Sequence, residues 1–129
     1  MEILDFYKCD ICGNLVQVLV DGGGELVCCG EPMKKLESQN NEEAVMEKHI
    51  PVFIEQDNKY EIRVGEVLHP MIEQHHIMFI QAISEDKNNV QLKFLHAGDE
   101  PKMILNEKPD RINAYEYCNV HGLWEGKNA

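Results

Sequence analysis

Four of the chain's five cysteines, Cys9, Cys12, Cys28 and Cys29, fall within residues 1–36, and no other feature of the sequence limits its folding as strongly. A fragment of that size buries too little apolar surface to fold well alone. Closure of the thiols on a metal ion is expected to supply the missing stability. Cys9-x-x-Cys12-Gly13 has the spacing of a metal knuckle: thiolates three residues apart reach one ion, and the glycine lets the loop turn tightly. The second pair is adjacent. Neighbours on an extended strand point to opposite faces, so the backbone must bend at Cys28-Cys29 for both sulfurs to meet one ion. Gly30 and Pro32 suit such a bend. A vicinal disulfide or idle core thiols is the competing reading, which four cysteines in so short a fragment disfavour. Tetrahedral sulfur ligation suits zinc and iron alike, so the spacing leaves the metal open.

The same segment holds β-like runs at residues 15–20 and 25–28, separated by the turn Asp21-Gly22-Gly23-Gly24. A polar, acidic stretch at residues 37–43 then reads as a linker or exposed loop. Residues 41–48 can form a short helical turn. Beyond it, apolar residues alternate with charged or polar ones at 60–64 and 90–94, the period of a half-buried strand. Residues 77–83 are apolar on both faces, as a central sandwich strand is. Asp57-Asn58 and residues 85–89 supply turns. The expected architecture is mainly β: a small four-cysteine module over residues 1–36, then an antiparallel β-sandwich over residues 37–129.

Composition narrows the function classes. A net charge of −11 opposes general nucleic-acid binding, because phosphates would be repelled by most of this surface. The longest apolar runs, such as Ile77-Met78-Phe79-Ile80, are strand-sized, well short of the roughly 18 residues a membrane helix needs. The first residues carry acids where a signal peptide carries a basic and then an apolar segment. A cytoplasmic protein binding neither nucleic acid nor membrane is expected. In that setting clustered cysteines signal metal or catalysis more often than disulfides.

A second site is expected around the fifth cysteine. Cys118 and His121 form a Cys-x-x-His pair at the end of a strand candidate, and the remaining histidines are His49, His69, His75, His76 and His96. Pro70 blocks a helix at His69, which places His69 and His75 on a loop and the start of the next strand. A lone histidine is ordinarily a surface or satisfied residue. Six of them with one remaining cysteine, in a chain already organised by a metal, point to ligation. Zinc would need only four ligands and leave histidines over. Blue copper takes two histidines, a cysteine and usually a weak axial methionine, and no methionine follows His121. Iron with four nitrogens and one sulfur uses most of the histidines and leaves a position for substrate. Spacing alone leaves all three open.

Taken together and in order, Cys9-x-x-Cys12, Cys28-Cys29, Glu47-Lys48-His49-x-Pro51, His69-Pro70-x4-His75 and Cys118-x-x-His121-Gly122 resemble desulfoferrodoxin, the two-iron form of superoxide reductase, along essentially the whole chain. The resemblance implies a desulforedoxin-like, rubredoxin-like module followed by an immunoglobulin-like sandwich. It also implies two iron ions per chain: one in the thiolates of Cys9, Cys12, Cys28 and Cys29, the other catalytic. The family's equatorial histidines fall on His49, His69, His75 and His121, and its axial thiolate on Cys118. His76 and His96 receive no role. The implied activity is one-electron reduction of superoxide to hydrogen peroxide without release of dioxygen. The implied partners are superoxide, a rubredoxin-like electron donor and a second copy of the chain. Glu47 resembles the glutamate that fills the open position in the resting ferric state. Lys48 would draw an anion in locally against the acidic whole and order a protonating water. A solvated charge pair is the plainer reading of both. The alternatives are an iron electron carrier without turnover, a zinc-stabilised interaction module, and superoxide dismutation, which would release dioxygen.

Overall fold

The computed structural model describes residues 1–41, 49–65, 69–105 and 110–128. The helical turn considered for residues 41–48 falls almost wholly outside them, and no helix is present among the described residues. The chain divides into two compact units, Met1–Glu37 and Ser38–Ala129.

The first unit is built from very short strands. β1 (Phe6–Lys8) lies between β2 (Leu15–Gln17) and β5 (Lys34–Lys35) in an antiparallel sheet, and β3 (Val27–Cys28) pairs with β4 (Glu31–Pro32) as a hairpin. The strand expected over residues 15–20 stops at Gln17, where the chain turns toward the glycine-rich loop. Only Phe6, Cys9 and Val18 are buried apolar side chains here. The bend expected at the adjacent cysteines is the hairpin turn itself. Cys28 pairs with Glu31, leaving Cys29-Gly30 as a two-residue loop with φ of 54° and 78°. Positive φ at both central residues matches the twist of the flanking strands, and glycine adopts it without strain.

The second unit is a sandwich of two antiparallel sheets. One contains β6 (Pro51–Gln56), β7 (Lys59–Val64) and β10 (Lys102–Leu105) in the order β10-β7-β6. The other contains β8 (Ile77–Ser84), β9 (Val90–Phe94), β11 (Ile112–Cys118) and β12 (Gly122–Lys127) in the order β12-β11-β8-β9. Inward-facing side chains from both sheets form one core: Ile62 and Val64 of β7 and Met103 and Leu105 of β10 meet Ile80 and Ala82 of β8 and Ala114 of β11. The alternation over 60–64 places Ile62 and Val64 inward, at 0% exposure. β8 is a central strand, as its apolar residues on both faces imply: Ile80 and Ala82 enter the core, while Phe79 stacks on Tyr117 at 5.9 Å.

Two expectations are corrected. β9 alternates like a half-buried strand yet is exposed along its length, with Phe94 67% exposed. It is an edge strand whose only ladder partner is β8, and Gln91 and Lys93 donate to the Ile104 and Lys102 carbonyls of β10, so its apolar side chains lie outside the core. The stretch at residues 37–43 is not wholly free: Gln39 bridges Trp124 in parallel, its N–H donating to the Leu123 carbonyl and its own carbonyl accepting from the Glu125 N–H. A polar residue thereby extends the β12 edge.

Candidate metal centres

The first cluster is assembled by two tight turns. The Cys9–Cys12 loop is closed by the Gly13 N–H donating to the Cys9 carbonyl at 2.9 Å, with Gly13 at φ 83°. The Cys12 N–H points back at the Cys9 sulfur, 3.5 Å away. The β3–β4 hairpin brings the other pair in from the opposite side. All four sulfurs lie within 4.8 Å of one another, with Cys12 to Cys28 at 3.6 Å and Cys28 to Cys29 at 4.0 Å. A metal–thiolate bond of about 2.3 Å sets the edge of a sulfur tetrahedron at about 3.8 Å. A disulfide would need about 2.05 Å, and none joins any two of the five cysteines. The donor set and its spacing therefore fit a tetrahedral ion and not a vicinal disulfide.

Proton affinities in this cluster diverge. The Cys9 thiol is lowered to about 7, chiefly by the Cys12 backbone N–H. The Cys29 thiol is pushed up to about 12, first by its hydrogen bond with Cys12 and then by those with Cys9 and Cys28. One sulfur gives up its proton readily while another holds on to it. A cation in their midst would favour four thiolates at once.

The second cluster draws on four separate parts of the sandwich. His49 precedes β6, His69 and His75 lie on the loop before β8, Cys118 ends β11, and His121 occupies the turn into β12. The loop carrying His75 is closed by reciprocal backbone bonds between Ile72 and His75, both 3.1 Å. Pairing with β8 is irregular beside Cys118: Tyr117 lies opposite Phe79 and Cys118 opposite Ile77, so the extra residue of the bulge is Met78 on β8.

The four imidazoles close a ring. Successive centroids are 4.5 Å apart for His49–His69, 4.7 Å for His69–His75, 5.1 Å for His75–His121 and 4.9 Å for His121–His49. Neighbouring planes meet at 56° to 86°, so the rings stand edge to face around a common point. One donor atom from each histidine and the Cys118 sulfur all lie within 4.8 Å of one another. His49 Nε2 and His121 Nδ1 are 3.0 Å apart. Metal–imidazole bonds of about 2.1 Å at right angles put neighbouring nitrogens about 3.0 Å apart. His49, His69 and Cys118 are buried, and His75 and His121 partly so. Two imidazoles and a thiol converging out of water, with two further imidazoles half-buried beside them, is a costly arrangement unless something binds there.

Surrounding groups fix the donors. His69 Nδ1 donates to the Pro70 carbonyl at 2.7 Å, which turns Nε2 toward the Cys118 sulfur, 3.7 Å away. His49 Nδ1 faces the fully buried carboxylate of Glu116 at 3.3 Å, leaving Nε2 for the centre. Carboxylate or carbonyl partners of this kind set the tautomer and raise the basicity of a ligating imidazole. Trp124 stacks on His49 at 4.8 Å and donates its indole N–H to the His121 carbonyl at 3.2 Å. Gln39 Nε2 donates to the same carbonyl at 2.9 Å. The His121 N–H points at the Cys118 sulfur, 3.4 Å away.

Every candidate ligand that the sequence reading named is thus drawn into one of the two clusters. His76 and His96 are in neither, and the His96 side chain is 84% exposed. Glu47 and Lys48 lie outside the described residues. Glu116 and Trp124 were missed. Glu116 stands two residues before Cys118 on one strand, so a shared face was a usable signal. The approach of Trp124 to His49 has no local signal.

Residues 1–36 match the N-terminal domain of desulfoferrodoxin, and residues 41–127 match the main desulfoferrodoxin domain. A desulfoferrodoxin homolog of Archaeoglobus fulgidus is 48% identical over 124 residues, covering 96% of this chain and 97% of its own. The superoxide reductase of Thermococcus kodakarensis is 33% identical over 99 residues, covering 63% of this chain and 85% of its own. The crystal structure of the superoxide reductase from Treponema pallidum superposes with a TM-score of 0.70 at 27% identity, covering 95% of this chain and 96% of that one. The chain belongs to the desulfoferrodoxin family. Its four-cysteine and four-histidine, one-cysteine groups match the two iron sites expected of that family.

Proposed function

We propose that this chain is a superoxide reductase that converts superoxide and one electron, with two protons, into hydrogen peroxide. The ring of His49, His69, His75 and His121 around one point, with the Cys118 sulfur as fifth donor, carries this reading. Iron in such a set supplies one-electron exchange, and five protein donors leave one coordination position for substrate. Cys9, Cys12, Cys28 and Cys29 would hold a second iron with no position to spare, suited to electron transfer or to holding residues 1–36 folded. Residues 37–129 would carry the reaction.

The chain's own groups have distinct tasks. Cys118 would lend electron density to a bound iron, tempered by the His121 N–H aimed at its sulfur. Glu116 and the Pro70 carbonyl keep His49 and His69 presenting Nε2. Burial of His49, His69 and Cys118 keeps bulk water from the donors. Lys48 would attract the anion and order the water that supplies protons, and Glu47 would occupy the substrate position at rest. Both directly precede His49 in sequence.

Cysteines gathered into two metal-ligand groups suit a cytoplasmic protein. The first unit exposes Leu19 and Val20 at 74% and 86%, an apolar tip suited to a second copy in a homodimer. A small rubredoxin-like protein would return the electron. The test is single-turnover mixing of reduced, iron-loaded protein with superoxide. Wild type should consume superoxide in proportion to its second iron, and Cys118→Ala, with the four-cysteine centre intact, should not. Equal consumption by the two would remove the second site from the reaction.

A further inference from the structure

The loop carrying His75 and the loop carrying Cys118 and His121 come from different places in the chain, and one side chain ties them together. Asn119 accepts a hydrogen bond from the His76 N–H on its Oδ1 at 2.9 Å and donates from Nδ2 to the Gln74 carbonyl at 3.0 Å. Its backbone N–H donates to the His76 carbonyl at 3.2 Å. The two side-chain bonds grip the backbone on either side of His75, while Asn119 itself directly follows Cys118. A primary amide, with an acceptor and a donor on one flat group, is the chemistry that can satisfy both sides.

We infer that Asn119 is a positioning residue that sets His75 against Cys118 and His121 before metal binds. This rests on the reading of the His49–His69–His75–His121–Cys118 group as an iron site. The two loops meet at the protein surface, where Gln74 and Asn119 are exposed, so the fold does not depend on Asn119 for burial. Beyond the buried pair of Ile77 and Cys118, directional bonds hold this end of the seam. Without the amide, Gln74 and His76 can bond to water and the strands remain paired. His75 then loses its fixed distance from the thiolate.

The experiment is dialysis of full-length, iron-loaded protein against a graded iron chelator, with iron counted per chain and the visible thiolate-to-iron absorption recorded. Wild type, Asn119→Ala, Asn119→Asp and a control, His96→Ala, are compared. Asn119→Ala is expected to release its second-site iron at roughly 10-fold lower chelator concentration, the lower end of what loss of a supporting partner costs a metal site. Its second-site absorption should shift, while the four-cysteine absorption and the melting temperature stay unchanged. Asn119→Asp keeps an oxygen for the His76 N–H but has no N–H for the Gln74 carbonyl, and should fall between. His96→Ala should match wild type. Retention and absorption in Asn119→Ala equal to wild type would overturn the inference and leave the proposed function standing. Loss of the four-cysteine iron as well would mark general unfolding and also overturn it. A wild-type protein with iron only in the four-cysteine centre would overturn both.

Discussion

The two units solve the problem of placing thiolates and imidazoles in opposite ways. In Met1–Glu37 the strands are two or three residues long, three apolar side chains are buried, and Cys12 and Cys29 are exposed. The donors there would tie the unit together in place of a core. In Ser38–Ala129 a core of Ile62, Val64, Ile80, Met103 and Ala114 joins the two sheets, with Cys118 the one donor packed into it while the histidines gather from the surrounding segments. The first unit is expected to need its metal in order to fold, and the second its fold in order to bind metal. A closed site suits the former, and a site with room for substrate suits the latter, because only an independent scaffold can leave a coordination position unused.

Removing all metal should separate the units most sharply. Hydrogen exchange on chelated protein is expected to show β1 and β2 amides losing protection almost completely while those of β7 and β8 keep theirs. Equal loss in both would erase the contrast. Next in size, Ile80→Ala should cost the second unit about 2–5 kcal/mol in chemical denaturation, as large-to-small core changes do. The four-cysteine absorption should survive to the same denaturant concentration as in wild type. Glu116→Ala should sharpen the contrast from within the second unit. Freed of its carboxylate, His49 is expected to turn, lowering iron affinity about 10–100-fold in chelator competition with no loss from the first centre. The smallest effect belongs to the first unit's surface. Lys34 beside Asp10, at 2.6 Å, holds the Asp10 carboxyl below the usual carboxylate range. A lowered folded value means this stabilisation is present at neutral pH and fades as pH falls through it. Both groups are exposed, so Asp10→Asn should barely move the neutral melting point and should slightly flatten its decline in acid, an effect that salt erases.

How much of this was legible follows the range of the interactions. The Cys9–Cys12 loop and the bend at Cys29-Gly30 are local, and spacing with glycine placement revealed them. The alternation at 60–64 and the apolar residues on both faces at 77–83 disclosed strands because periodicity is local too. Periodicity says nothing of neighbours, so Val90, Leu92 and Phe94 read as half-buried although β9 is an exposed edge. Register is likewise invisible: the bulge beside Cys118, the Gln39 bridge to Trp124 and the contact of Glu116 with His49 all join residues distant in sequence. The histidine set itself emerged from family resemblance, since spacing alone left zinc, copper and iron open.

The central claim is that the second unit reduces superoxide, and the products test it most directly. Reduced, iron-loaded protein supplied with an electron donor is mixed with superoxide, and hydrogen peroxide and dioxygen are measured together. One peroxide for each superoxide consumed, with no dioxygen released, is the result expected. Dioxygen and peroxide in equal amounts would instead identify dismutation, and superoxide left to decay at its spontaneous rate would contradict an enzymatic role altogether.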